Sequence, residues 1–335
     1  MNSMISVVVC TYNQEDTIAR TLDSILMQQC HVPYEIVIGE DHSTDHTLAI
    51  CQRYQQQNPD RITLLANAYN KGVQDNYFDC LLAACGKYIA DCAGDDFWTD
   101  PLKLEKEVAI LESHPDVTLV HTDWNIFHEP TQTLHLSPPK PFTAPFTLGT
   151  DMLQAIVTQT SVPVIQLCTS LYRRSIVIEE LLDNPQLFRN KAYGCEDIQI
   201  ACIMAYRGII AFLPDVTLSY STGHESVSES SDPTRQFRFV WRITNLTHHL
   251  AEKYQLQGPV IDHYFSRRLL ALTMHAFRAH DRLLRQEVID SKSCWTITAD
   301  WRTRLVLTIT ATDATWHLAL LLRRAIVSIK HLLKP

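Results

Sequence analysis

Two adjacent aspartates, Asp95 and Asp96, follow an apolar run in the stretch KYIADCAGDDFWTDP, which covers residues 87–101. Neighbouring like charges repel each other, and an unpaired carboxylate is costly to bury. A metal ion, a basic side chain or water would each compensate the two charges. Hard cations such as Mg²⁺ and Mn²⁺ take oxygen ligands, and a cation that holds a diphosphate needs only one or two protein carboxylates. The pair is therefore a candidate metal and diphosphate site.

Two further acidic pairs stand where chemistry is possible. Glu40 ends the run YEIVIGE, and Asp41 comes one place beyond it, where its carboxylate would accept hydrogen bonds from a ring N–H of a ligand. Asp45 is explained as the cap of the helix that it precedes. Glu196 and Asp197 open the helical segment CEDIQIACIMAYRG, and the dipole of a helix favours acidic side chains there regardless of function. Taken singly, Asp45 and the pair Glu196–Asp197 therefore have structural explanations.

The elements around these residues indicate that they belong together. The runs ISVVVC, YEIVIGE, RITLLAN and KYIADC have the pattern of buried strands, and segments with helical periodicity separate them. This alternation predicts an α/β fold with a mostly parallel, Rossmann-like sheet flanked by helices. In such sheets, ligands bind beyond the carboxyl ends of the strands. CTYN, GEDHSTD and AGDDFW would then lie on one rim, where Glu40, Asp41, Asp95 and Asp96 converge.

The later part of the chain changes character near Ser230. Asp100 and Pro101 predict a helix start, and VTLVHTDWNIF predicts another strand. Residues 128–149 carry many prolines and threonines without periodicity, which predicts a long loop. Beyond the polar run STGHESVSESSDP, helical patterning continues to the end, opening with Asp232 as the cap. We therefore expect an α/β domain over 1–230 and a helical C-terminal extension over 231–335.

Composition excludes several classes of protein. The formal net charge of -8 and the pI near 6.0 argue against a nucleic-acid partner, because such binding depends on clustered Lys and Arg. The ten cysteines form no CxxC pair, and most lie in apolar runs, which indicates reduced thiols in a cytoplasmic protein. The first residues lack a basic leader, and no apolar run is long enough to span a bilayer.

In combination, the motifs are more specific than any of them alone. In order and separation, they resemble the family 2 glycosyltransferases, and more narrowly bacterial members whose metal motif is followed by two aromatic residues and a proline. The resemblance rests on SVVVCTYNQEDTIARTLDSILMQQ, EIVIGEDHSTDHT, NKGVQDNYFDCLLAACGKYIADCAGDDFWTDPLKLEKEV and CEDIQIACIMAYRG. It implies a GT-A fold and inverting transfer of a sugar from a nucleoside diphosphate sugar, with Mn or Mg. The domain over 1–230 would then bind the nucleotide sugar and catalyse the transfer.

The resemblance also implies roles for particular residues. Asp41 matches the aspartate that reads the uracil ring, and Asp197, in the pair with Glu196, matches the catalytic base. Phe97 and Trp98 would flank the donor. The implied metal ligands are Asp95, Asp96 and His224. The implied nucleotide-sugar site comprises Thr11, Tyr12, Asn13, Glu40, Asp41, Asn70, Gly72 and Asp95.

One departure from the family pattern keeps a second interpretation open. Many relatives carry an acidic residue two places before Asp95, and this chain has Ala93 there. Its absence is what a catalytically weak or inactive nucleotide-sugar-binding scaffold protein would show. A nucleotidyltransferase is disfavoured because CTYNQED replaces the Gly-rich, Lys-containing phosphate loop. The QxxRW signature of processive synthases is also absent, so we expect one sugar per encounter.

The C-terminal segment WHLALLLRRAIVSIKHLLKP allows two interpretations. Leucines and isoleucines recur there at helical spacing, with basic residues nearby. The segment is either a helix packed on the protein or on a partner subunit, or a basic amphipathic helix on anionic lipid. The second would suit an enzyme at the inner face of the cell membrane whose acceptor is a glycan or a lipid-linked glycan.

Overall fold

The computed structural model describes residues 4–160, 163–223 and 230–332. The described chain divides into two compact units. The first consists of the residues up to 191 together with 195–223, and the second of residues 192–194 and those from 230 onward.

The first unit begins with alternating strands and helices, as the sequence predicts. These elements are β1 (Ile5–Thr11), α1 (Ile18–Leu26), β2 (Tyr34–Glu40), α2 (Thr47–Gln57), β3 (Ile62–Ala66), α3 (Val73–Ala83) and β4 (Tyr88–Asp91). Strands β1 to β4 are all parallel to one another, in the order β3-β2-β1-β4. Because β1 has neighbours on both sides and helices cover the sheet, Ile5, Val7 and Val9 are wholly buried.

The remainder of the first unit completes a mixed sheet. It contains β5 (Phe97–Trp98), α4 (Lys103–Ser113), β6 (Val117–His128), β7 (Thr133–Leu136), β8 (Phe146–Leu148), α5 (Gly149–Thr158), β9 (Ser170–Arg173), α6 (Arg174–Asp183), α7 (Pro185–Phe188), α8 (Asp197–Arg207) and β10 (Ile209–Thr222). The sheet order is β3-β2-β1-β4-β9-β6-β10-β5, with β7 beside β6 and β8 beside β10. Among the described strands, β5, β7, β8 and β9 run against the other six. The α/β fold is confirmed.

The prediction of one long loop over residues 128–149 is wrong in part. Strand β7 pairs antiparallel with β6, and β8 pairs antiparallel with β10. Both strands are short, and they are held by pairing with β6 and β10, which periodicity within the loop does not reveal. The helix predicted from Asp100 also begins later than expected, since α4 starts at Lys103. The Asp100 carboxylate accepts a hydrogen bond from the backbone N–H of Leu102, just before the helix.

The second unit is helical throughout its described length. It contains α9 (Pro233–Lys253), α10 (Pro259–Ala279), α11 (Arg282–Cys294), α12 (Trp301–Ile309) and α13 (Asp313–Leu332). The Asp232 side chain caps α9 by accepting from the backbone N–H groups of Thr234 and Arg235, as predicted. No single described helix is long and apolar enough to cross a membrane. Residues Trp301–Ile309 and Asp313–Arg323 meet that criterion only as a pair, bent by 114°.

Candidate functional site

The carboxyl ends of β1, β2 and β4 form one rim of the first unit. Thr11 at the end of β1 lies opposite Glu40 at the end of β2. Beyond the strands, the N–H of Asp41 donates to the Thr11 carbonyl at 3.0 Å, and the N–H of Gly94 donates to the Cys10 carbonyl at 3.1 Å. These two bonds bring the loops after β1, β2 and β4 together.

Asp41 is the central acceptor of this rim. One carboxylate oxygen accepts from the Asn67 side chain at 3.0 Å and from the N–H of Lys71 at 2.8 Å, and the other accepts from the N–H of Gly72 at 2.8 Å. The side chain is only 3% exposed. Asp41 therefore holds the loop before α3 in place, and most of its acceptor capacity is used by the protein itself. Asn70 in that loop is exposed, and Gly72 has a φ of +86°.

The neighbouring residues divide into supports and exposed groups. Glu40 is fully buried, and one of its oxygens accepts from the N–H of Ser43 at 2.7 Å. Asn13 bridges the same turn, donating its N–H to the Ser43 hydroxyl and accepting from the Thr44 N–H. Thr11 is buried, whereas Tyr12 is 45% exposed. Among these residues, Tyr12 thus has free aromatic surface to offer a ligand, while the others shape the turn.

Helix α1 and strand β10 hold the turn that carries Asp95 and Asp96. The Thr21 hydroxyl donates to the Asp96 carbonyl at 2.6 Å, and Arg20 and Ser221 donate to the Asp95 carbonyl at 3.0 and 2.7 Å. The Ser221 N–H donates to one Asp96 carboxylate oxygen at 2.9 Å. The turn is thus fixed through its main chain, and the Asp95 side chain remains partly exposed.

The second carboxylate oxygen of Asp96 is buried, and the side-chain donor that acts on this carboxyl group is the Cys168 thiol, a weak one. Burial, reinforced by the charge of Asp95, raises the pKa of Asp96 well above its usual value, against the opposing effects of the Ser221 N–H and the Arg20 guanidinium. A buried carboxylate oxygen that receives at most a weak hydrogen bond, beside a second carboxylate, offers the oxygen ligands that a hard divalent cation takes. These residues therefore fit a metal ion. Ala93 leaves the set at two carboxylates.

The pair Glu196–Asp197 lies at the N-terminus of α8, and both side chains are partly buried. Burial, followed by the charge of Asp197, raises the pKa of Glu196 to about 8, and burial also raises the pKa of Asp197. The pKa of Tyr220 on β10 is raised by its burial and by the charges of Asp96, Asp95 and Asp197. Tyr220 therefore lies close enough to respond to both the candidate metal pair and the candidate base.

Sequence reasoning missed two residues of this region. Asp91, the last residue of β4, is 5% exposed, and the hydroxyl groups of Tyr77 and Tyr172 interact with its carboxylate. Burial raises the pKa of Asp91 to about 7; the two tyrosines oppose this shift, and the charge of Asp197 adds to it. Arg20 is the basic neighbour of the aspartate turn, and its guanidinium also pairs with Glu129 at 2.5 Å. The sequence does contain signals for both residues: Asp91 is an acidic residue in an apolar strand, and Arg20 is a basic residue within α1.

Two predictions about the surroundings of the site come out differently. Trp98 is 1% exposed in the hydrophobic core, and its indole N–H donates to the Cys168 carbonyl at 3.0 Å, so it does not flank the donor site as predicted. Its neighbour Phe97 is half-buried, and the guanidinium carbon of Arg20 lies 4.2 Å from the centre of the Phe97 ring. His224, predicted as a metal ligand, lies outside the described residues.

The fold is that of a GT-A type domain, and the acidic rim at the carboxyl edge of its sheet is the candidate ligand site. The chain belongs to glycosyl transferase family 2, whose family profile matches residues 6–181. The structure is also similar to S. aureus TarS 1–349 in complex with UDP-GlcNAc, with a TM-score of 0.55 at 17% identity over 91% of this chain and 88% of that one. It resembles the mannosyltransferase PcManGT from Pyrobaculum calidifontis in complex with GDP-Man and Mn²⁺, with a TM-score of 0.53 at 18% identity over 95% and 87% of the two chains. At these identities the similarity shows the fold.

Relatives in sequence are bacterial. An uncharacterised protein of Mycobacterium tuberculosis is 40% identical over 124 residues, which are 37% of this chain and 36% of that protein. EpsE of Bacillus subtilis, named as a glycosyltransferase, is 40% identical over 131 residues, or 38% and 46% of the two chains. The UDP-Glc:alpha-D-GlcNAc-diphosphoundecaprenol beta-1,3-glucosyltransferase WfaP of Escherichia coli is 33% identical over 110 residues, or 33% and 42%. The matches thus span less than half the length of these relatives.

Proposed function

We propose that the protein is an inverting glycosyltransferase that moves a sugar from a nucleoside diphosphate sugar, specifically a UDP-sugar, to a hydroxyl of a glycan or lipid-linked glycan in bacterial surface polysaccharide synthesis. Family membership and the names of its relatives support the class of reaction. WfaP is named for a UDP-Glc donor and a diphosphoundecaprenol acceptor, and TarS was solved with UDP-GlcNAc. The observation that carries the proposal is the turn at the carboxyl edge of the sheet that presents Asp95 and Asp96, held through its main chain by Arg20, Thr21 and Ser221.

In this proposal the donor nucleotide lies on the rim formed by the loops after β1 and β2. Tyr12 offers its exposed ring to the base and ribose. Asp41 keeps the segment Asn70–Gly72 in place through its bonds to the N–H groups of Lys71 and Gly72. Its remaining lone pair would accept the uracil ring N–H, because a carboxylate has about four acceptor positions and three are occupied. Asn13 and Glu40 support the turn beneath.

Asp197 acts as the general base. Its carboxylate takes the proton of the acceptor hydroxyl while the acceptor oxygen bonds to the anomeric carbon, and the bond from that carbon to the diphosphate breaks with its electron pair leaving on the diphosphate. With the pKa of Glu196 raised to about 8, Glu196 is mostly protonated at neutral pH. A protonated Glu196 adds no second negative charge beside Asp197, so Asp197 remains the ionised member that accepts the proton.

Asp95 and Asp96 would hold a divalent cation, Mn²⁺ or Mg²⁺. When bound, such a cation supplies positive charge that neutralises the charge developing on the departing diphosphate. The chain itself contributes the fixed turn, held by Thr21, Arg20 and Ser221 through hydrogen bonds. We place the reaction in the cytoplasm, at the inner face of the cell membrane, where a lipid-linked acceptor would be within reach.

Ala93 favours a second candidate function, that of a nucleotide-sugar-binding scaffold with weak or no activity. Thermal-shift measurements with Mn²⁺ and a panel of UDP-, GDP- and dTDP-sugars test the donor class, because a ligand that binds only the folded state raises the melting temperature. We expect UDP-sugars to stabilise the wild type, and Asp95→Ala to remove the Mn²⁺-dependent part of this shift. Asp183→Asn, at an exposed site on α6, is the matched control. A shift with GDP-sugars alone would contradict the UDP assignment.

A further inference from the structure

Helix α13 has apolar side chains on two opposite sides. On one side, Trp316 is wholly buried, and its indole N–H donates to the Phe277 carbonyl at 3.0 Å. Leu320 is 9% exposed and packs in the same cluster. This side packs against the rest of the second unit. The predicted packed helix therefore accounts for one side of α13.

The opposite side, here called the outer face of α13, is exposed. It consists of Leu318, Leu321, Leu322, Ala325 and Ile326, all of which are exposed to solvent. With 3.6 residues per turn, these five positions fall within about 140° of the helix circumference. Leu318 and Leu322 are each 58% exposed. Trp301 and Leu305 on α12 are exposed as well. Contiguous exposed apolar surface of this kind marks an interaction site.

Charge identifies the partner. The protein has a net charge of -8, but residues 301–332 contain five basic residues and a single acidic one, Asp313. Arg282 pairs with Asp313 at 2.6 Å, which cancels that carboxylate. Arg302 and Arg323 are exposed beside the apolar residues. Self-association through this face would bring like-charged residues of two copies together, whereas an anionic lipid surface would neutralise them.

We propose that the outer face of α13, with the exposed residues of α12, docks onto the surface of an anionic lipid bilayer. The apolar side chains enter the boundary between headgroups and acyl chains, and the arginines contact the lipid phosphates. The bend of 114° between Trp301–Ile309 and Asp313–Arg323 suits two helices that lie on the surface. The inference does not depend on the proposed transfer reaction, because lipid binding requires no donor, metal or acceptor.

Co-sedimentation of the full-length protein with vesicles tests this docking. Vesicles of phosphatidylcholine containing roughly one third phosphatidylglycerol supply the anionic surface, and pure phosphatidylcholine vesicles supply the neutral one. We expect binding to the anionic vesicles that weakens as salt is added. Leu318→Asp together with Leu322→Asp should abolish it. The control places the same two changes at Leu136 and Leu182, which are more exposed and lie in the first unit.

The charge contribution is measured separately. Arg302→Gln with Arg323→Gln should lower the partition coefficient roughly 10- to 30-fold, since each basic residue near an anionic surface contributes about a fivefold gain. Arg53→Gln with Arg267→Gln is the matched control. Equal binding by the leucine variant and its control, or equal binding to neutral vesicles, would overturn the proposal. A lipid-free dimer in sedimentation that the leucine variant abolishes would also overturn it, by assigning the face to a second copy.

Discussion

At the scale of single residues, the acidic side chains of the site differ in what surrounds them, although the sequence presents them all as aspartate or glutamate. Asp41 accepts three hydrogen bonds, two of them from backbone N–H groups, so its charge is satisfied by the protein. Asp96 and Asp91 are also buried, but their side-chain neighbours are weaker donors, the Cys168 thiol for Asp96 and the hydroxyls of Tyr77 and Tyr172 for Asp91. Asp41 is therefore a structural acceptor, whereas the charges of Asp96 and Asp91 would be compensated by a cation or a proton.

The pair Glu196–Asp197 gives the sharpest residue-scale prediction. Asp197→Asn removes the proposed proton acceptor and should lower the transfer rate about 10²- to 10⁴-fold, while UDP binding stays near the wild-type value. Glu196→Gln preserves the neutral, protonated form that Glu196 already has at neutral pH, so its loss should be about tenfold or less. Steady-state rates with calorimetric UDP titrations check both variants. Equal losses in the two would show that Asp197 has no special role.

Asp91 predicts how stability depends on pH. Its pKa is about 7 in the folded protein and ordinary when unfolded, so the folded state binds the extra proton, and stability falls as the pH rises from near 4 to near 7. Asp91→Asn carries no charge and removes this loss. We compare the free energy of unfolding of the variant with that of the wild type at each pH. Because the pKa of Asp91 rises by roughly 3, this difference should be up to about 4 kcal/mol more favourable to the variant at pH 8 than at pH 4. Urea unfolding at both pH values measures the gain, with Asp183→Asn as control; a gain that does not depend on pH would contradict the assignment.

At the scale of elements, the turn after β4 packs closely on the turn after β1. A Cβ atom added at Gly94 would lie 2.4 Å from the Gln14 side-chain oxygen and 2.8 Å from the Thr11 hydroxyl oxygen. The Gln14 side chain can move aside, but the Thr11 Cβ, 2.9 Å away, belongs to the buried strand β1, so a larger residue displaces the turn that carries Asp95 and Asp96.

Gly94→Ala should therefore weaken Mn²⁺-dependent donor binding while the protein still folds. The expected destabilisation is about 1–3 kcal/mol, the typical cost of overpacking a tight contact. Calorimetric titration of UDP with and without Mn²⁺ measures the effect on binding. Gly258→Ala serves as the control, because no atom lies within 4 Å of a Cβ added there. Its positive φ strains the backbone in the second unit and leaves the turn with Asp95 and Asp96 unaffected. Unchanged metal-dependent binding in Gly94→Ala would show that the turn tolerates displacement.

The elements also show which parts of the fold the sequence predicts. Strands β1 to β4 and helices α1 to α3 follow from local periodicity, because each is long enough for its buried side to form a pattern. Strands β5, β7 and β8 have two to four residues each and depend on pairing with β6 or β10. Trp98 was expected at the donor site but lies in the core, because an aromatic residue after a motif carries no sign of which way it points.

At the scale of the whole molecule, the order of the strands is what allows the position of the candidate site to be predicted from the sequence. The rule for parallel sheets brings the loops after β1, β2 and β4 to one rim, and this places Asp41, Asp95 and Asp96 without any knowledge of side-chain contacts. The contributions of Arg20 and Asp91 could not be found this way. Their importance comes from three-dimensional neighbours, Ser221 and Glu129 for Arg20 and Asp197 for Asp91, which lie far away in sequence.

The two proposed activities belong to different units of the chain. The proposed donor and base residues all lie in the first unit, and the outer face of α13 lies in the second. The Leu318→Asp and Leu322→Asp variant should therefore keep turnover of a soluble donor within about twofold of the wild type, since neither leucine is among the proposed donor and base residues. Donor hydrolysis rates measured without lipid check this. A large loss of rate in this variant would show that the two sites are coupled.

Release of UDP from UDP-sugars in the presence of Mn²⁺, with water or glycan as the acceptor, tests the central claim most directly. The full-length wild type should release UDP from at least one UDP-sugar. Asp95→Ala should lose the Mn²⁺-dependent activity. Asp197→Asn should still bind UDP, but it should cleave UDP-sugars about 10²- to 10⁴-fold more slowly. A wild-type protein that binds UDP with Mn²⁺ but turns over none of the UDP-sugars would contradict the transferase and identify a nucleotide-sugar-binding scaffold.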